Sequence, residues 1–259
     1  MKKQQITIIK IGGKVLENKS DLSKALELFA RINGLKILVH GGGTKLDGLL
    51  HRLGIRPQMV NGRRITDAQT LDAALMVYAG LENKKIVAAL QALRCPAIGL
   101  SGADAGILLA EKRPVGEIDY GLVGDVKQVN RENLMKIIQA GFVPVLCALT
   151  HDGSGQMLNT NADTIASEMA AALSALYHTR LIFAFEKIGV LKDVNNERSL
   201  IKELDRQSYL RLKAENIINN GMMPKLDNAF MALNAGADEV FITRFDKIDS
   251  VGEGTRIVL

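Results

Sequence analysis

The 259-residue chain has no tryptophan, and aromatic residues make up only 4% of it. Single-strand nucleic-acid binders stack bases on aromatic rings, so a surface of that kind is not expected. Cysteine is scarce as well. Cys95 and Cys147 lie in apolar, strand-like surroundings without metal-ligand spacing, which excludes a disulfide framework and suits a reduced, cytoplasmic protein. No apolar run approaches the ~20 residues of a membrane span. The opening MKKQQITIIKIGG meets its first glycines too early for a signal peptide. Dense runs of Lys and Arg are also missing: 33 Lys+Arg against 28 Asp+Glu leave a net charge of +5. That balance fits a small anionic substrate better than a nucleic acid. What is abundant is apolar residue, 47% of the chain, enough for one large domain or two packed lobes.

Short apolar runs alternate with amphipathic stretches. Ile6–Ile11, Leu35–Val39, Pro96–Leu100, Val143–Leu146, Leu181–Phe185 and Glu239–Thr243 read as strands. Between them, helical spacing runs through Asp21–Ile32 (with Ser20 as its cap), Thr44–Leu53, Ala68–Leu93, Asn130–Ala140, Ala162–Leu176 and Met222–Ala235. Strands separated by helices predict parallel pairing and a three-layer α/β/α sandwich with an open, mostly parallel sheet. Gly106–Val129, rich in glycine, predicts hairpins appended to the sheet edge, and polar Asn195–Arg206 predicts a loop or lid. A lobe boundary is expected near residue 176, giving 1–176 and 177–259.

Candidate chemistry gathers at strand ends, where open α/β sheets collect ligands. Lys10 stands among Ile8, Ile9 and Ile11, and burying it calls for an anionic partner. Its bland alternative is a lysine reaching water at a strand end. His40-Gly41-Gly42-Gly43 joins a strand to a helix, and successive glycines can aim backbone N–H groups at phosphate or carboxylate oxygens. It is neither a P-loop nor a dinucleotide fingerprint. His40 itself reads as a packing or hydrogen-bonding residue rather than a base. Asn61-Gly62-Arg63-Arg64 is a hairpin signal carrying two guanidinium groups suited to carboxylates; the pattern does not choose between the two arginines. Asn159-Thr160-Asn161-Ala162-Asp163 precedes a helix, with Asn161 a cap and Asp163 in the first turn. Lys225 begins another helix after Pro224, against the dipole's preference, which suggests a nearby anion.

In order and spacing, KIGGK (Lys10–Lys14), VHGGG (Val39–Gly43), NGRRIT (Asn61–Thr66), GLSGADAG (Gly99–Gly106), YGLVGDV (Tyr120–Val126), NTNAD (Asn159–Asp163) and GMMPK (Gly221–Lys225) resemble the amino acid kinase family. The resemblance runs through nearly the whole chain. It implies an eight-stranded α/β/α sandwich, with the acyl-amino-acid site in the N-terminal lobe and ATP on the C-terminal lobe. The implied reaction transfers the γ-phosphoryl of MgATP to the side-chain carboxylate of an N-acylated glutamate. By the same resemblance, Lys10, Lys225 and Asp163 are catalytic: the lysines balance charge on the migrating phosphoryl and Asp163 keeps them in position. Gly42, Gly43, Arg64, Asn159 and Asn161 bind substrate, and Gly12, Gly13 and Gly41 bind phosphate. Glu186, Gly189, Val190, Leu191, Ile217, Ile218 and Asn219 bind the nucleotide. Mg²⁺ is expected to bind through the nucleotide's phosphates, with no metal site of the protein's own.

Two stretches depart from the family pattern. Phe185-Glu186-Lys187 stands where a Thr/Ser-Asp pair is usual, and Asn219-Asn220 replaces small residues. Arginine-inhibited members carry an extra N-terminal helix, whereas nine residues precede Lys10 here, so a homodimer insensitive to arginine is expected. Related chemistry on an N-succinyl or aminoadipate substrate, or a non-catalytic sensor of amino acids or nucleotides, stays open from sequence alone.

Overall fold

The computed structural model describes residues 3–60, 62–218 and 222–259. The chain packs as two units, one made of Met1–Lys36 with Ala166–Leu259 and the other of Ile37–Ile165. The sequence-based division near residue 176 is contiguous, but the packing is not. The first strand, Gln5–Ile11, pairs along its length with His178–Phe185, Ile8 opposite Leu181, and this brings the chain's beginning into the unit that holds its end.

In the first unit the strands lie in the order Glu203–Leu204, Thr255–Ile257, Glu239–Arg244, His178–Phe185, Gln5–Ile11. Neighbours are parallel except Thr255–Ile257 against Glu239–Arg244. Ile6, Ile8, Ile9 and Ile11 are all fully buried, the pattern of a strand covered on both faces. The helix Lys19–Arg31 is capped by Asn18, not Ser20: the Asn18 Oδ1 accepts from the Ser20 and Asp21 N–H groups at 2.9 and 3.2 Å. At its other end the buried Lys36 ammonium donates to the carbonyls of Phe29, Ala30 and Ile32, satisfying groups that a helix terminus leaves open. The expected loop Asn195–Arg206 contains a 3₁₀ turn, Glu197–Ser199, and the edge strand Glu203–Leu204. Two residues are too few for a periodic pattern to reveal.

The strand Leu35–His40 runs into the second unit, where its Leu38–His40 end, Val143–Cys147 and Ala97–Leu100 pair in parallel. The hairpin expected within Gly106–Val129 forms from Leu108–Lys112 and Gly124–Val129. These strands do not extend the parallel sheet; they join Leu149–His151 and Met157–Asn159 in a separate four-stranded sheet. The long helix of Ala68–Leu93 is continuous but widens into a π-helix over Leu75–Glu82, between the α-helices Ala68–Ala74 and Asn83–Ala92. Such widening is rare and concentrates near functional sites. The mixed α/β architecture with a mostly parallel sheet is therefore the one the alternating pattern implies.

Candidate active site

In the first unit, adjacent carboxyl ends of two parallel strands build a cavity of about 490 Å³. Gly12 ends one strand and donates its N–H to the Ala184 carbonyl of the next at 2.8 Å. A side chain at Gly12 would reach the Phe185 Cβ at 3.3 Å, so this wall stays backbone. Gly13, Glu186, Gly189, Val190, Leu191, Ile217, Ile218 and Lys225 line the same cavity. So do Lys14, Phe185, Lys187 and Met222, which stand in the quoted segments without an assigned site role, and Val194, which stands in none. Asn219 lies outside the described residues, as do Asn61, Asn220 and Gly221.

The floor is fixed by backbone. The Val190 N–H donates to the Thr255 Oγ1 at 2.9 Å, and that hydroxyl donates to the Ile201 carbonyl at 2.6 Å. The rim carries charge. Lys14 Nζ lies 3.1 Å from Glu186 Oε1, and Lys187 Nζ lies 3.4 Å from the Val194 carbonyl. Lys225, half-buried, stands in the first turn of the helix Met223–Asn234. Lys10 lies on the strand Gln5–Ile11, only 7% exposed.

In the second unit, Leu35–His40 delivers the glycine run to the helix Gly43–Arg52. His40 is fully buried. Asn83 Nδ2 lies 3.1 Å from His40 Nε2 and 2.9 Å from the Val145 carbonyl, so the amide donates to both. Nδ1 then carries the ring proton and donates it to the Gly41 carbonyl at 2.8 Å. Burial pushes the imidazole down to about 4, the hydrogen bond to Gly41 opposing it. His40 is thus the neutral hydrogen-bonding residue anticipated from its place, and it holds the first glycine of the run.

Of the two arginines, Arg63 is exposed and Arg64 buried. Arg64 Nη1 lies 2.6 Å from Asp47 Oδ1, and Nη2 donates to the Gly43 carbonyl at 3.3 Å. Its guanidinium favours the ionised form of the nearby Tyr78 hydroxyl; burial nevertheless pushes that phenol up to about 12. The Tyr78 ring comes from the π-helical stretch and packs on Gly42, where a Cβ would lie 2.9 Å from the ring. Asn159 Nδ2 donates to Thr66 Oγ1 at 3.0 Å, and Thr66 Oγ1 donates to the Arg64 carbonyl at 3.3 Å. Gly42, Gly43, Arg64 and Asn159 therefore belong to one hydrogen-bonded and packed cluster. Thr66, the last residue of the NGRRIT segment, joins it with Asp47 and Tyr78, and no local motif marks the latter two.

Asn161 caps the helix Ala162–Ser174, its Oδ1 accepting from the Asp163 N–H at 2.7 Å. Its side-chain oxygen is thereby engaged, leaving the amide NH₂ to donate. The Asp163 side chain is buried, at 4% exposure. Among the described residues, no group of three His, Cys, Asp or Glu side chains could hold a metal ion.

A family model described as "Amino acid kinase family" matches residues 5–244. An acetylglutamate kinase of Bacteroides fragilis is 52% identical over 98% of this chain and 97% of its own length. An acetylglutamate kinase of Parabacteroides distasonis is 52% identical over 98% of this chain and 99% of its own. Among solved structures, the smu.665 protein of Streptococcus mutans has the same fold, with a TM-score of 0.83 at 24% identity over 98% of both chains.

Proposed function

This chain belongs to the amino acid kinase family, and from that premise we propose that it transfers the γ-phosphoryl group of ATP to the side-chain carboxylate of N-acetyl-L-glutamate, yielding N-acetyl-L-glutamyl 5-phosphate for arginine biosynthesis. The observation that carries this reading is the 52% identity, over nearly full length, to relatives named acetylglutamate kinase. The chemistry of the two units agrees with it.

The acceptor carboxylate is ionised at neutral pH, so the reaction needs no strong base. A carboxylate oxygen attacks the γ-phosphorus, the bond to the bridging oxygen breaks, and ADP departs. The barrier is mainly the meeting of two anions, and what lowers it is positioning and balanced charge. In this proposal Lys10 and Lys225 carry the positive charge opposite the migrating group, and Asp163 is the acidic member of the catalytic set. Gly13 and Gly41 donate N–H groups to phosphate oxygens, while Gly12, whose N–H is held by the Ala184 carbonyl, lines the wall beside them. Glu186, Gly189, Val190, Leu191, Ile217 and Ile218 receive the nucleoside, Asn219 completing the set. Arg64, Asn159, Gly42 and Gly43 receive the acylated glutamate, with the Asn161 NH₂ as a further donor. Glu186 is the acidic side chain among the cavity's described lining residues, a wall that fits Mg²⁺ arriving on the phosphates with most of its waters retained. When bound with the nucleotide, Mg²⁺ supplies neutralisation of phosphate charge.

The test is an acyl-phosphate assay with MgATP, trapping product with hydroxylamine. Hydroxamate is expected with N-acetyl-L-glutamate; activity on free glutamate alone would sink the assignment, and faster turnover of N-succinyl-L-glutamate would move it to that acyl group. A cytoplasmic homodimer insensitive to arginine belongs to the same proposal. A hexamer by light scattering, or inhibition by arginine at physiological concentration, contradicts it.

A further inference from the structure

We propose that Lys14 is a further phosphate-binding cation of the nucleotide site, resting on Glu186 until a polyphosphate displaces that carboxylate. The inference rests on the nucleotide reading above and deepens it. Lys14 follows Gly12-Gly13 directly, in the first turn of the helix Gly13–Glu17. Glu186 follows the strand His178–Phe185, the parallel neighbour of Gln5–Ile11, with Ile11 opposite Ala184. Two adjacent strand ends thus deliver both the bare glycine backbone and the Lys14–Glu186 pair to one wall of one cavity.

The pair is a poor structural device. Its side chains are 72% and 37% exposed, and an ion pair in water contributes little to stability. The charge balance of the lining points the other way. Lys14 and Lys187 share a single carboxylate, Glu186, among the described lining residues. That leaves this rim one positive charge in excess, which a multivalent anion entering the cavity of about 490 Å³ would balance. A triphosphate offers more charge and more acceptor oxygens than Glu186 does. Lysine suits the exchange, being a point charge with three donors on a flexible stem. Nothing breaks covalently; one charge-assisted hydrogen bond replaces another.

Isothermal titration of the full chain at fixed free Mg²⁺ tests this with ATP, ADP and adenosine, comparing wild type with Lys14→Ala and Lys14→Arg. In Lys14→Ala the Kd for ATP and ADP should rise roughly tenfold, the loss of one charge-assisted hydrogen bond. The Kd for adenosine should stay within about twofold, since adenosine has no phosphate for the ammonium to reach. Lys14→Arg should keep most of the ATP affinity. An unchanged ATP Kd in Lys14→Ala overturns the assignment. So does an equal loss for ATP and adenosine, which would make Lys14 a shaper of the cavity. Wild-type chain that binds no ATP overturns the nucleotide reading itself, and Lys14's role with it; that failure shows in the wild type and is distinct from the other two.

Discussion

The cavity of one unit and the arginine cluster of the other handle polar groups in opposite ways. Around Arg64 most of the polar side chains are buried: His40, Thr66 and Asn83 are at most 1% exposed and Arg64 itself only 8%, with Asp47 the member that reaches solvent. Around Gly12 the backbone is fixed, while Lys14 and Glu186 stand in solvent. If the cluster receives a small acylated amino acid, as proposed, it gains from donors that cannot move, because fixed donors need no reorganisation on binding. If the cavity receives a polyphosphate, which is long, highly charged and leaves as ADP, solvated cations on flexible stems serve it better. The cost of each arrangement differs too. A buried polar network fails when one member is lost, whereas a solvated rim tolerates change.

The sharpest way to break this comparison is at the lysines proposed to carry charge for the transferring group. On that proposal, Lys10→Ala and Lys225→Ala each remove a charge felt mainly in the transition state. For each, kcat should fall by about 10²–10³-fold with a smaller change in KM, measured by hydroxamate formation. Near-normal kcat in both variants would remove the electrostatic account of catalysis.

A smaller but structural effect is expected at Gly99, behind the cluster. A Cβ there would lie 1.9 Å from Asn83 Oδ1. Gly99→Ala must therefore displace the amide that bonds His40 and Val145, at a cost of roughly 3 kcal/mol in urea unfolding. Gly48→Ala is the control: it lies in the helix Gly43–Arg52 with open space at its Cβ, and the change should stabilise by about 0.5–1 kcal/mol. Equal responses at the two glycines would show that the network is not what Gly99 protects.

The same network predicts a pH dependence. His40 is held down at about 4 in the folded chain, against 6.5 for the free side chain. Between those values the unfolded chain takes up a proton that the folded chain refuses, so unfolding is favoured as pH falls. His40's contribution is full above pH 6.5 and is lost progressively toward pH 4, amounting to at most about 3 kcal/mol. Urea midpoints across this window should fall with pH in wild type and fall less in His40→Gln, which cannot titrate. Parallel slopes would place the proton uptake elsewhere.

Much of this was legible in the sequence, and the exceptions share a cause. Apolar runs separated by helical periods imply the parallel α/β arrangement, because period and length are local properties. The motif stations around Gly12, Glu186, Gly189 and Lys225 converge on one cavity, and the glycine run and Arg64 share the other cluster. Asp47, Tyr78 and Asn83 were not legible, since each sits inside a helical pattern and acquires its role from a partner far along the chain. For Asn83 that partner, His40, is 43 positions away. The π-helical widening over Leu75–Glu82 leaves no mark in composition, and the discontinuous first unit cannot be seen by scanning for a linear boundary.

The smallest expected effect sharpens the contrast most directly, because it sets one ion pair from each region against the other. Asp47 is partly exposed, yet its partner Arg64 is buried, so Asp47→Ala leaves a guanidinium with the Gly43 carbonyl but without its counter-charge. That should cost roughly 1–2 kcal/mol of stability. Lys14→Ala removes a lysine from an exposed pair, and Glu186 stays hydrated, so stability should change by less than about 0.5 kcal/mol. Thermal unfolding of the two variants beside wild type reads both. Should Lys14→Ala lower Tm as much as Asp47→Ala does, the rim is a structural brace and not a surface kept loose for an anion. Should neither move Tm, the Arg64 cluster is held by its backbone and packing, and its buried charge is balanced by groups other than Asp47.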